Sequence, residues 1–330
     1  MEHQEFFANK RVLITGGLGF IGSNMARRLA DYGAHLTLVD SLIPEYGGSL
    51  FNINGLKDRV EVNIADVRDR HSMAYLVQGK DYLFNLAGQT SHMDSMEDPY
   101  TDLEINCLAQ LSILEACRKY NPGIKVVFAS TRQIYGKPDH LPVNENHLLR
   151  PVDVNGINKM AGEWYHILYN NVYGIRATAL RLTNTYGPRM RIRDARQTFL
   201  GLWIRLLLQG QPFEVWDGQQ LRDFSFVDDA VDALVAAAVN ERANGCVFNL
   251  GGERAINLRE LAELLIEAND GNGRYEIRSF PANRQRIDIG DYYADYDCIA
   301  KTLGWKPRVH LQEGLALTLD FFRRNLDNYL

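Results

Sequence analysis

The chain has 330 residues, of which 46% are hydrophobic and 23% charged, and this composition is typical of a globular protein with room for one domain and a smaller lobe. Its formal net charge of −5 argues against nucleic acid or an anionic membrane as a partner. No apolar run approaches the ~20 residues that span a bilayer, and the four cysteines lack C-x-x-C spacing, so we expect a cytoplasmic protein with neither a metal site nor disulfides.

The first predicted element is a strand over residues 11–15, which leads into a glycine-rich turn, Gly16-Gly17-Leu18-Gly19-Phe20-Ile21-Gly22. Helical apolar spacing follows the turn. Glycines let the backbone turn tightly and approach a pyrophosphate closely, and the N-terminus of the helix then offers free N–H groups to the anion. This arrangement of strand, turn and helix predicts a dinucleotide-binding site.

A second predicted strand, over residues 35–39, ends at Asp40, roughly 20 residues after the glycine turn. A carboxylate at this point binds the adenosine ribose hydroxyls and disfavours a 2′-phosphate. We therefore expect NAD rather than NADP as the cofactor. The alternative is that Asp40 is only a helix cap or a turn residue.

Further strands are predicted at residues 60–64, 82–86 and 125–129, and they alternate with predicted helices at residues 71–77 and 100–120. Repeated alternation with apolar strands predicts an α/β fold with a Rossmann-type doubly wound parallel sheet. Ligands of such sheets bind beyond the carboxyl ends of the strands. Asp66, Ala87 and Thr131 fall at such ends.

Further motifs complete the pattern, namely Asp66-Val67, Leu86-Ala87-Gly88-Gln89, Asn106 and residues 128–136. With the glycine turn and Asp40, they resemble the extended short-chain dehydrogenase/reductase family, the NAD-dependent nucleotide-sugar epimerases and dehydratases. The resemblance covers nearly the whole chain. It implies that the cofactor is held by Gly16, Gly19, Phe20, Ile21, Gly22, Asp40, Asp66, Val67, Leu86, Ala87, Gly88 and Lys159.

We expect two lobes that interleave along the chain. Residues 1–185 would form the NAD-binding Rossmann domain, and residues 224–251 would return to it. Residues 186–223 and 252–330 would form a smaller mixed α/β lobe that binds the nucleotide sugar.

The resemblance implies a catalytic Thr, Tyr and Lys, and this chain supplies two of the three. Thr131 would hydrogen-bond the sugar oxygen that becomes a carbonyl, and Lys159 would hold the nicotinamide ribose. Asn155 stands where the family has the Tyr of its Tyr-x-x-x-Lys pair, and none of the sixteen tyrosines has a lysine four residues later. An amide forms hydrogen bonds but does not transfer a proton at neutral pH. The plainer alternatives are a strand-end turn for Thr131 and a surface position for Lys159.

Another group must then accept the hydroxyl proton if the protein is an enzyme. The candidates are His92 in the loop after the fourth strand, Tyr100 at the start of the next helix, and Lys159 acting through Asn155 or a water. Imidazole changes its charge near neutral pH, which favours His92, although a loop histidine that is merely solvated is the alternative. On this hypothesis Asn155→Tyr should retain or raise activity.

The resemblance also implies that a nucleoside diphosphate sugar contacts Gln89, Asn184, Arg222 and Arg286. Common 4,6-dehydratases carry Asp-Glu after the catalytic Thr, as the acid and base that eliminate water, whereas this chain has Arg132-Gln133. Proteins of the CDP-tyvelose 2-epimerase type carry Asn-Lys there and a Gly-Gln pair like Gly88-Gln89. An isomerase is therefore favoured over a 4,6-dehydratase.

Three functions remain open. The first is an NAD-dependent nucleotide-sugar epimerase, or a related isomerase or lyase, that oxidises a sugar hydroxyl transiently. The second, favoured by the missing Tyr, is a catalytically impaired NAD- and sugar-nucleotide-binding protein that acts as a sensor or scaffold. The third, an RNA-associated protein, is opposed by the acidic charge. A homodimer is expected because predicted helices 101–120 and 157–171 match those that relatives pack into an intersubunit four-helix bundle. Apolar surface would come from Leu108, Leu111, Ile113, Trp164 and Ile167, and the alternative is that these residues simply face the sheet.

Overall fold

The computed structural model describes residues 3–330. Its strands are β1 Arg11–Thr15, β2 His35–Asp40, β3 Val60–Ile64, β4 Tyr82–Asn85, β5 Lys125–Thr131, β6 Arg176–Leu182, β7 Asn184–Tyr186, β8 Phe213–Trp216, β9 Leu221–Arg222, β10 Phe224–Phe226, β11 Val247–Asn249, β12 Ile256–Asn257 and β13 Tyr275–Arg278. Its α-helices are α1 Gln4–Phe7, α2 Phe20–Asp31, α3 Arg70–Leu76, α4 His92–Glu97, α5 Pro99–Leu103, α6 Ala109–Tyr120, α7 Val154–Tyr173, α8 Phe199–Leu208, α9 Val227–Val239, α10 Leu258–Glu267, α11 Ala282–Gln285, α12 Asp297–Leu303 and α13 Leu311–Asn325.

Seven parallel strands form the central sheet, in the order β11-β6-β5-β4-β1-β2-β3. The chain starts at β1, reaches one edge through β2 and β3, and then crosses to the other side of β1 for β4, β5 and β6. The strand order therefore reverses between β1 and β4, which opens a crevice at the carboxyl ends of these two strands. The predicted doubly wound α/β fold is confirmed.

Helices cover both faces of the sheet, as its apolar strands predict. Val12 and Ile14 of β1 belong to a core that also contains Met25 of α2 and much of α9. Leu13 points to the other face, where a second core contains Ile113 of α6 together with residues of α3 and α7. Successive side chains of a strand point to opposite faces, so each half of this short apolar run faces its own layer of helices.

The predicted helix over residues 100–120 is interrupted. α5 continues into a π-helical turn, Glu104–Leu108, before α6 begins. Asn106 lies in this turn, and its side-chain amide donates to the Gln89 carbonyl at 2.9 Å and to Asp102 Oδ2 at 3.0 Å. The expectation of a regular helix is wrong here because buried hydrogen bonds override the helical period.

α7 carries the Asn155 segment and begins at a clear cap. The Asp153 side chain accepts a hydrogen bond from the Gly156 N–H at 2.6 Å, and the helix ends at Gly174, whose φ of +70° stops it. Of the five apolar side chains expected to face a partner subunit, Ile113 and Ile167 instead lie buried in the chain itself. The expectation for these two residues is wrong because the chain itself already covers them, Ile113 in the core that contains Leu13.

The remaining segments gather beyond the carboxyl end of the sheet. They contain three small strand pairs, β7 with β10, β9 with β12, and β8 with β13. The connection between β5 and α7 packs onto the C-terminal part, where the Val143 N–H donates to the Tyr293 carbonyl at 3.0 Å. All four cysteines are free thiols. Within residues 3–330, no helix is both long enough and apolar enough to cross a membrane.

Candidate active site

The glycine turn between β1 and α2 packs backbone against backbone. Gly16 has φ +65°, in the left-handed region that favours glycine. A Cβ atom on Gly22 would lie 2.1 Å from the Gly16 carbonyl oxygen, so a larger residue does not fit there. α2 therefore starts directly against the turn, and its first residues, with their free N–H groups, line the crevice.

The crevice has a volume of about 130 Å³ and lies at the carboxyl ends of the first four strands. Eleven of the twelve residues predicted to hold the cofactor line it: Gly16, Gly19, Phe20, Ile21, Gly22, Asp40, Asp66, Val67, Leu86, Ala87 and Gly88. Thr90, Tyr46 and Gln197 line it as well, and sequence reasoning missed the last two. Tyr46 ends a short 3₁₀ helix, Pro44–Tyr46, and Gln197 comes from a loop far along the chain, so neither carries a local sequence signal.

Asp40 ends β2 on the wall of the crevice. Its Oδ2 accepts a hydrogen bond from the Leu18 N–H at 3.1 Å, and its Oδ1 accepts one from the Leu42 N–H at 2.9 Å. Burial raises the pKa of this carboxyl group, and the two hydrogen bonds oppose the rise. A carboxyl group in this place can accept hydrogen bonds from the ribose hydroxyls of NAD and disfavours the 2′-phosphate of NADP, so the crevice fits NAD.

Asp66 follows β3 and is fixed by an arginine two residues later. Arg68 Nη2 lies 2.7 Å from Asp66 Oδ2, and Arg68 Nε lies 3.0 Å from Oδ1. Burial raises the pKa of Asp66, but the Arg68 hydrogen bonds and charge outweigh it and hold the pKa below its usual value. Arg68 also reaches Glu104 at 2.9 Å, which ties this edge of the crevice to the π-helical turn.

Lys159 lies on α7 and is buried next to the crevice. Its Nζ donates to the Ala129 carbonyl at 3.1 Å and lies 4.9 Å from the centre of the Phe128 ring. A Cβ atom on Gly88 would come within 2.9 Å of this Nζ, so the ammonium group lies directly against a residue that lines the crevice. Burial lowers the pKa of Lys159 to about 8, and the charge of Asp102 opposes the drop.

Asn155, which stands in place of the expected Tyr, is 3% exposed and belongs to a buried polar network. Its amide donates to the Gln89 carbonyl at 2.8 Å and to Asp102 Oδ2 at 3.1 Å. Asp102 is fully buried, and it also accepts from Asn106 at 3.0 Å and from Asn158 at 2.8 Å. Three amides thus satisfy one buried carboxyl group, which needs such donors away from water. In this structure Asn155 holds the network together.

His92 is the first residue of α4, not a loop residue as predicted. Its Nδ1 is buried and lies 3.0 Å from Asp153 Oδ2, while 38% of its side chain is exposed. Gln133 Nε2 donates to the same Asp153 oxygen at 2.7 Å. Burial raises the pKa of Asp153, but His92, with the hydrogen bonds from Gly156 and Gln133, outweighs it and lowers the pKa. Sequence reasoning missed Asp153 and Gln133 because one has the pattern of a helix cap and the other of a turn.

The two other catalytic candidates lie in different surroundings. Thr131 ends β5 and is partly exposed, and its Oγ1 accepts a hydrogen bond from the Gln133 N–H at 3.2 Å. Tyr100 lies on α5 with 77% of its surface exposed. Its side chain therefore lies in solvent and outside the buried network around Asn155, so the structure does not support Tyr100 as the proton carrier.

Among the predicted substrate contacts, Gln89 and Asn184 are held by protein groups. The Gln89 side chain is buried and donates to the Ser91 carbonyl at 2.8 Å. Asn184 Oδ1 accepts from Arg132 Nη2 at 2.9 Å, and Asn184 Nδ2 donates to the Asp223 carbonyl at 3.0 Å. Asn184 thus links the end of β5 to the segment that precedes β10.

Arg222 is buried in β9. Its Nη1 donates to the carbonyls of Leu221 and Gly290, and its Nη2 lies 3.1 Å from Asp288 Oδ1. Burial lowers the pKa of Arg222 to about 10, with the charge of Arg132 acting in the same direction. Arg286, by contrast, is exposed just after α11. The two arginines predicted to bind phosphate therefore lie in very different surroundings.

Known proteins resemble this chain in sequence and fold. Residues 12–251 match the NAD dependent epimerase/dehydratase family. The chain belongs to this family. It is 32% identical over 320 residues to a putative UDP-glucose 4-epimerase of Methanocaldococcus jannaschii. The aligned residues make up 95% of this chain and 99% of that relative. A solved UDP-glucose 4-epimerase of Thermotoga maritima with UDP-glucose is 30% identical, with a TM-score of 0.88 over 96% of this chain and 99% of that one. A Thermus thermophilus UDP-glucose 4-epimerase in complex with NAD is 30% identical, with a TM-score of 0.83 over 95% and 99%.

These comparisons confirm the predicted family, the fold and the NAD cofactor. This member of the epimerase/dehydratase family is an NAD-dependent nucleotide-sugar enzyme of the type that oxidises a sugar hydroxyl transiently. The 4-epimerases among its relatives favour an epimerase over a dehydratase, in agreement with the Arg132-Gln133 pair.

Proposed function

We propose that this enzyme epimerises a UDP-sugar at C4 of the hexose ring. The proposal is carried by one observation: the buried Lys159 ammonium lies against the wall of a crevice that eleven predicted cofactor residues line. The relatives named as UDP-glucose 4-epimerases support the nucleotide and the carbon. The absence of an acid and a base directly after Thr131 supports epimerisation over loss of water.

Bound NAD supplies the acceptor for the hydrogen that leaves the sugar carbon. The Thr131 hydroxyl hydrogen-bonds the sugar oxygen as it becomes a carbonyl, and Lys159 holds the nicotinamide ribose. Asn155 acts indirectly, because it anchors Asp102, whose charge favours the protonated form of Lys159. His92 is the candidate that can accept the hydroxyl proton.

We further propose that Gln89, Asn184 and Arg222 contact the nucleotide sugar and that Arg286 approaches its phosphates. For Arg222, a diphosphate would replace part of the present pairing with Asp288, because a guanidinium forks well onto phosphate oxygens. Arg286 is exposed and so is free to follow the ligand.

A catalytically impaired binding protein is the second candidate function. It is favoured by Asn155, whose amide is already bound to Asp102 and Gln89, so that no phenol stands at the position where the family has its catalytic Tyr. Such a protein would bind NAD and a sugar nucleotide without turnover.

The test incubates the NAD-loaded protein with UDP-glucose, UDP-galactose and their N-acetylated and uronic acid counterparts, and follows the sugar protons by NMR. We expect interconversion at C4 for one of these pairs. Thr131→Val should lower kcat by about 100-fold or more with NAD content unchanged, because it removes the hydroxyl at the reacting oxygen. Thr302→Val, on α12, is the matched control. Retained NAD with no conversion of any sugar nucleotide would instead support the second candidate.

We propose that the enzyme is a homodimer. α7 presents a row of exposed apolar side chains, Ile157, Trp164, Leu168 and Val172. Their spacing of seven and four residues places them on one face of the helix. Leu103 and Leu108, on the neighbouring segment, are also exposed. A contiguous apolar face of this kind is typical of a protein interface.

We also propose a cytoplasmic location and keep the predicted division into lobes. Residues 1–185 with 224–251 would hold NAD, and residues 186–223 with 252–330 would hold the sugar nucleotide. The return of β11 to the sheet supports this interleaved division.

A further inference from the structure

Asn155 leaves the reaction without a phenol, and three contacts near His92 bear on what replaces it. His92 Nδ1 lies 3.0 Å from Asp153 Oδ2. Asp153 is buried, and its two oxygens accept from Gln133 Nε2 at 2.7 Å and from the Gly156 N–H at 2.6 Å. The carboxylate is therefore fixed in place from two other sides before it meets the imidazole.

We propose that His92 and Asp153 form a proton-carrying dyad, in which Asp153 is the positioning residue and His92 Nε2 exchanges the proton with the sugar hydroxyl. This inference rests on the proposed function. A neutral imidazole that carries its proton on Nδ1, facing the Asp153 carboxylate, has no hydrogen on Nε2, which can then act as a base. Nδ1 is buried whereas 38% of the side chain is exposed, so other atoms of this side chain are accessible.

Gln133 connects Asp153 of the dyad to Thr131 through two hydrogen bonds. The Gln133 N–H donates to Thr131 Oγ1 at 3.2 Å, and the Gln133 side chain donates to Asp153. Thr90, two residues before His92, lines the NAD crevice. Gln133 thus bridges the hydroxyl that would bind the sugar oxygen and the carboxylate that orients the imidazole.

The backbone of the Asn155 segment also holds His92. The Asn155 N–H donates to Ser95 Oγ at 3.2 Å, and Ser95 Oγ donates to the His92 carbonyl at 2.8 Å. Asn155 therefore donates to Asp102 with its side chain and, with its backbone N–H, helps to fix the position of α4. The Nδ1 contact lacks the alignment of a regular hydrogen bond, and such catalytic contacts tighten when substrate binds.

The proton balance of the step is simple. NAD bound in the crevice would take the hydrogen of the sugar carbon together with its bonding electron pair. The O–H bond of the same carbinol breaks, its electron pair forms the carbonyl bond, and its proton passes to His92 Nε2, giving imidazolium beside the Asp153 carboxylate. The same proton returns to the oxygen when the carbonyl is reduced again, so no other reactant is consumed. The charged groups on α4, α5 and α7, which pack together around His92, include Asp94 and Glu97 of α4, Asp98 and Asp102 beside and within α5, and Lys159 and Glu163 of α7. Arg196 pairs with Asp94.

Two readouts test the dyad. In the first, kcat of His92→Gln should fall by about 100- to 10,000-fold with NAD content unchanged, the range expected for loss of a general base. Asp153→Asn should lower kcat less and should displace the pH profile of kcat, and it keeps a side chain that caps α7. His310→Gln and Glu253→Gln are matched controls, because this exposed pair has a similar Nδ1 to carboxylate distance of 2.9 Å and lies outside the proposed active site.

The second readout is the imidazole ¹⁵N spectrum of the protein with NAD and no sugar, in which the signal that disappears in His92→Gln is assigned to His92. We expect the Nδ1–H tautomer in the wild type and its loss in Asp153→Asn. Unchanged kcat in His92→Gln, with an active wild type, overturns the dyad and leaves the proposed function intact. An Nε2–H tautomer in the wild type also overturns it. A wild type without turnover on any sugar nucleotide removes the proposed function, and the tautomer still decides whether Asp153 orients His92.

Discussion

Replacement of Asn155 tests the network around Asp102. Asn155→Ala removes one hydrogen bond to the Asp102 carboxyl group and one to the Gln89 carbonyl, both buried. A hydrogen bond to a charged group contributes about 1.5–3 kcal/mol and a neutral one about 0.5–1.5, so we expect the free energy of unfolding to fall by about 2–4 kcal/mol. Asn106 still donates to both acceptors, which keeps the loss below that of fully unsatisfied groups.

Asn155→Tyr should also lose stability, because it removes the same two hydrogen bonds. A phenol has a single donor in place of the amide's two, and it is far larger than the buried side chain it would replace. We therefore expect Asn155→Tyr to be destabilised at least as much as Asn155→Ala, so that it brings no simple gain in activity.

Urea unfolding followed by circular dichroism measures these losses at a constant NAD concentration. Asn171→Ala, at an exposed position of the same helix, is the control and should change the free energy of unfolding by less than about 0.5 kcal/mol. A double-mutant cycle with Asp102→Asn should give a coupling energy of about 1 kcal/mol or more between the two positions. Losses no greater than the control, or strictly additive losses, would refute the role of Asn155 in the network.

Three further predictions follow from the site and the surface. Asp40→Ala should weaken NAD at least tenfold in calorimetry, and the wild type should bind NAD more tightly than NADP; equal affinities would contradict the role of Asp40. Burial lowers the pKa of Lys159 to about 8 in the folded chain, below the ordinary 10.5. Between pH 8 and pH 10.5 the unfolded chain binds this proton more strongly than the folded chain, so the free energy of unfolding should rise with pH relative to that of Lys159→Met. Parallel plots of unfolding free energy against pH for the two proteins would contradict this. Trp164→Glu with Val172→Glu should convert the dimer to a monomer in sedimentation experiments, whereas a wild type that is monomeric at all concentrations would remove the proposed interface.

Much of the cofactor crevice could be predicted because local sequence signals specify it. The glycine turn, the apolar strands and the polar residues at their ends lie close together along the chain, and the parallel sheet brings these ends to one edge. Asp40 and Ala87 reach the crevice for this reason alone. The resemblance then placed Lys159, whose burial beside Gly88 depends on the packing of α7.

The sequence predicts His92 as a candidate proton carrier, but its contact with Asp153 could not be predicted, because this contact joins distant parts of the chain. His92 and Asp153 are 61 residues apart, and neither has a neighbour that signals the other. Asp153 by itself predicts only a helix cap, which it also is. The burial of Asp102 was equally hidden, because its three amide donors are four, 53 and 56 residues away.

The place of β11 in the sheet has a consequence for any shortened version of the protein. This strand pairs with Ala179–Arg181 of β6, and α9, just before it in the chain, covers one face of the sheet. A fragment ending at residue 185 lacks both, so it would expose an unpaired strand edge beside a bare apolar face, the combination that drives aggregation. Residues 1–185 alone are therefore not an independent folding unit, and a chain truncated there should be cleared by proteases instead of persisting as a free NAD-binding domain.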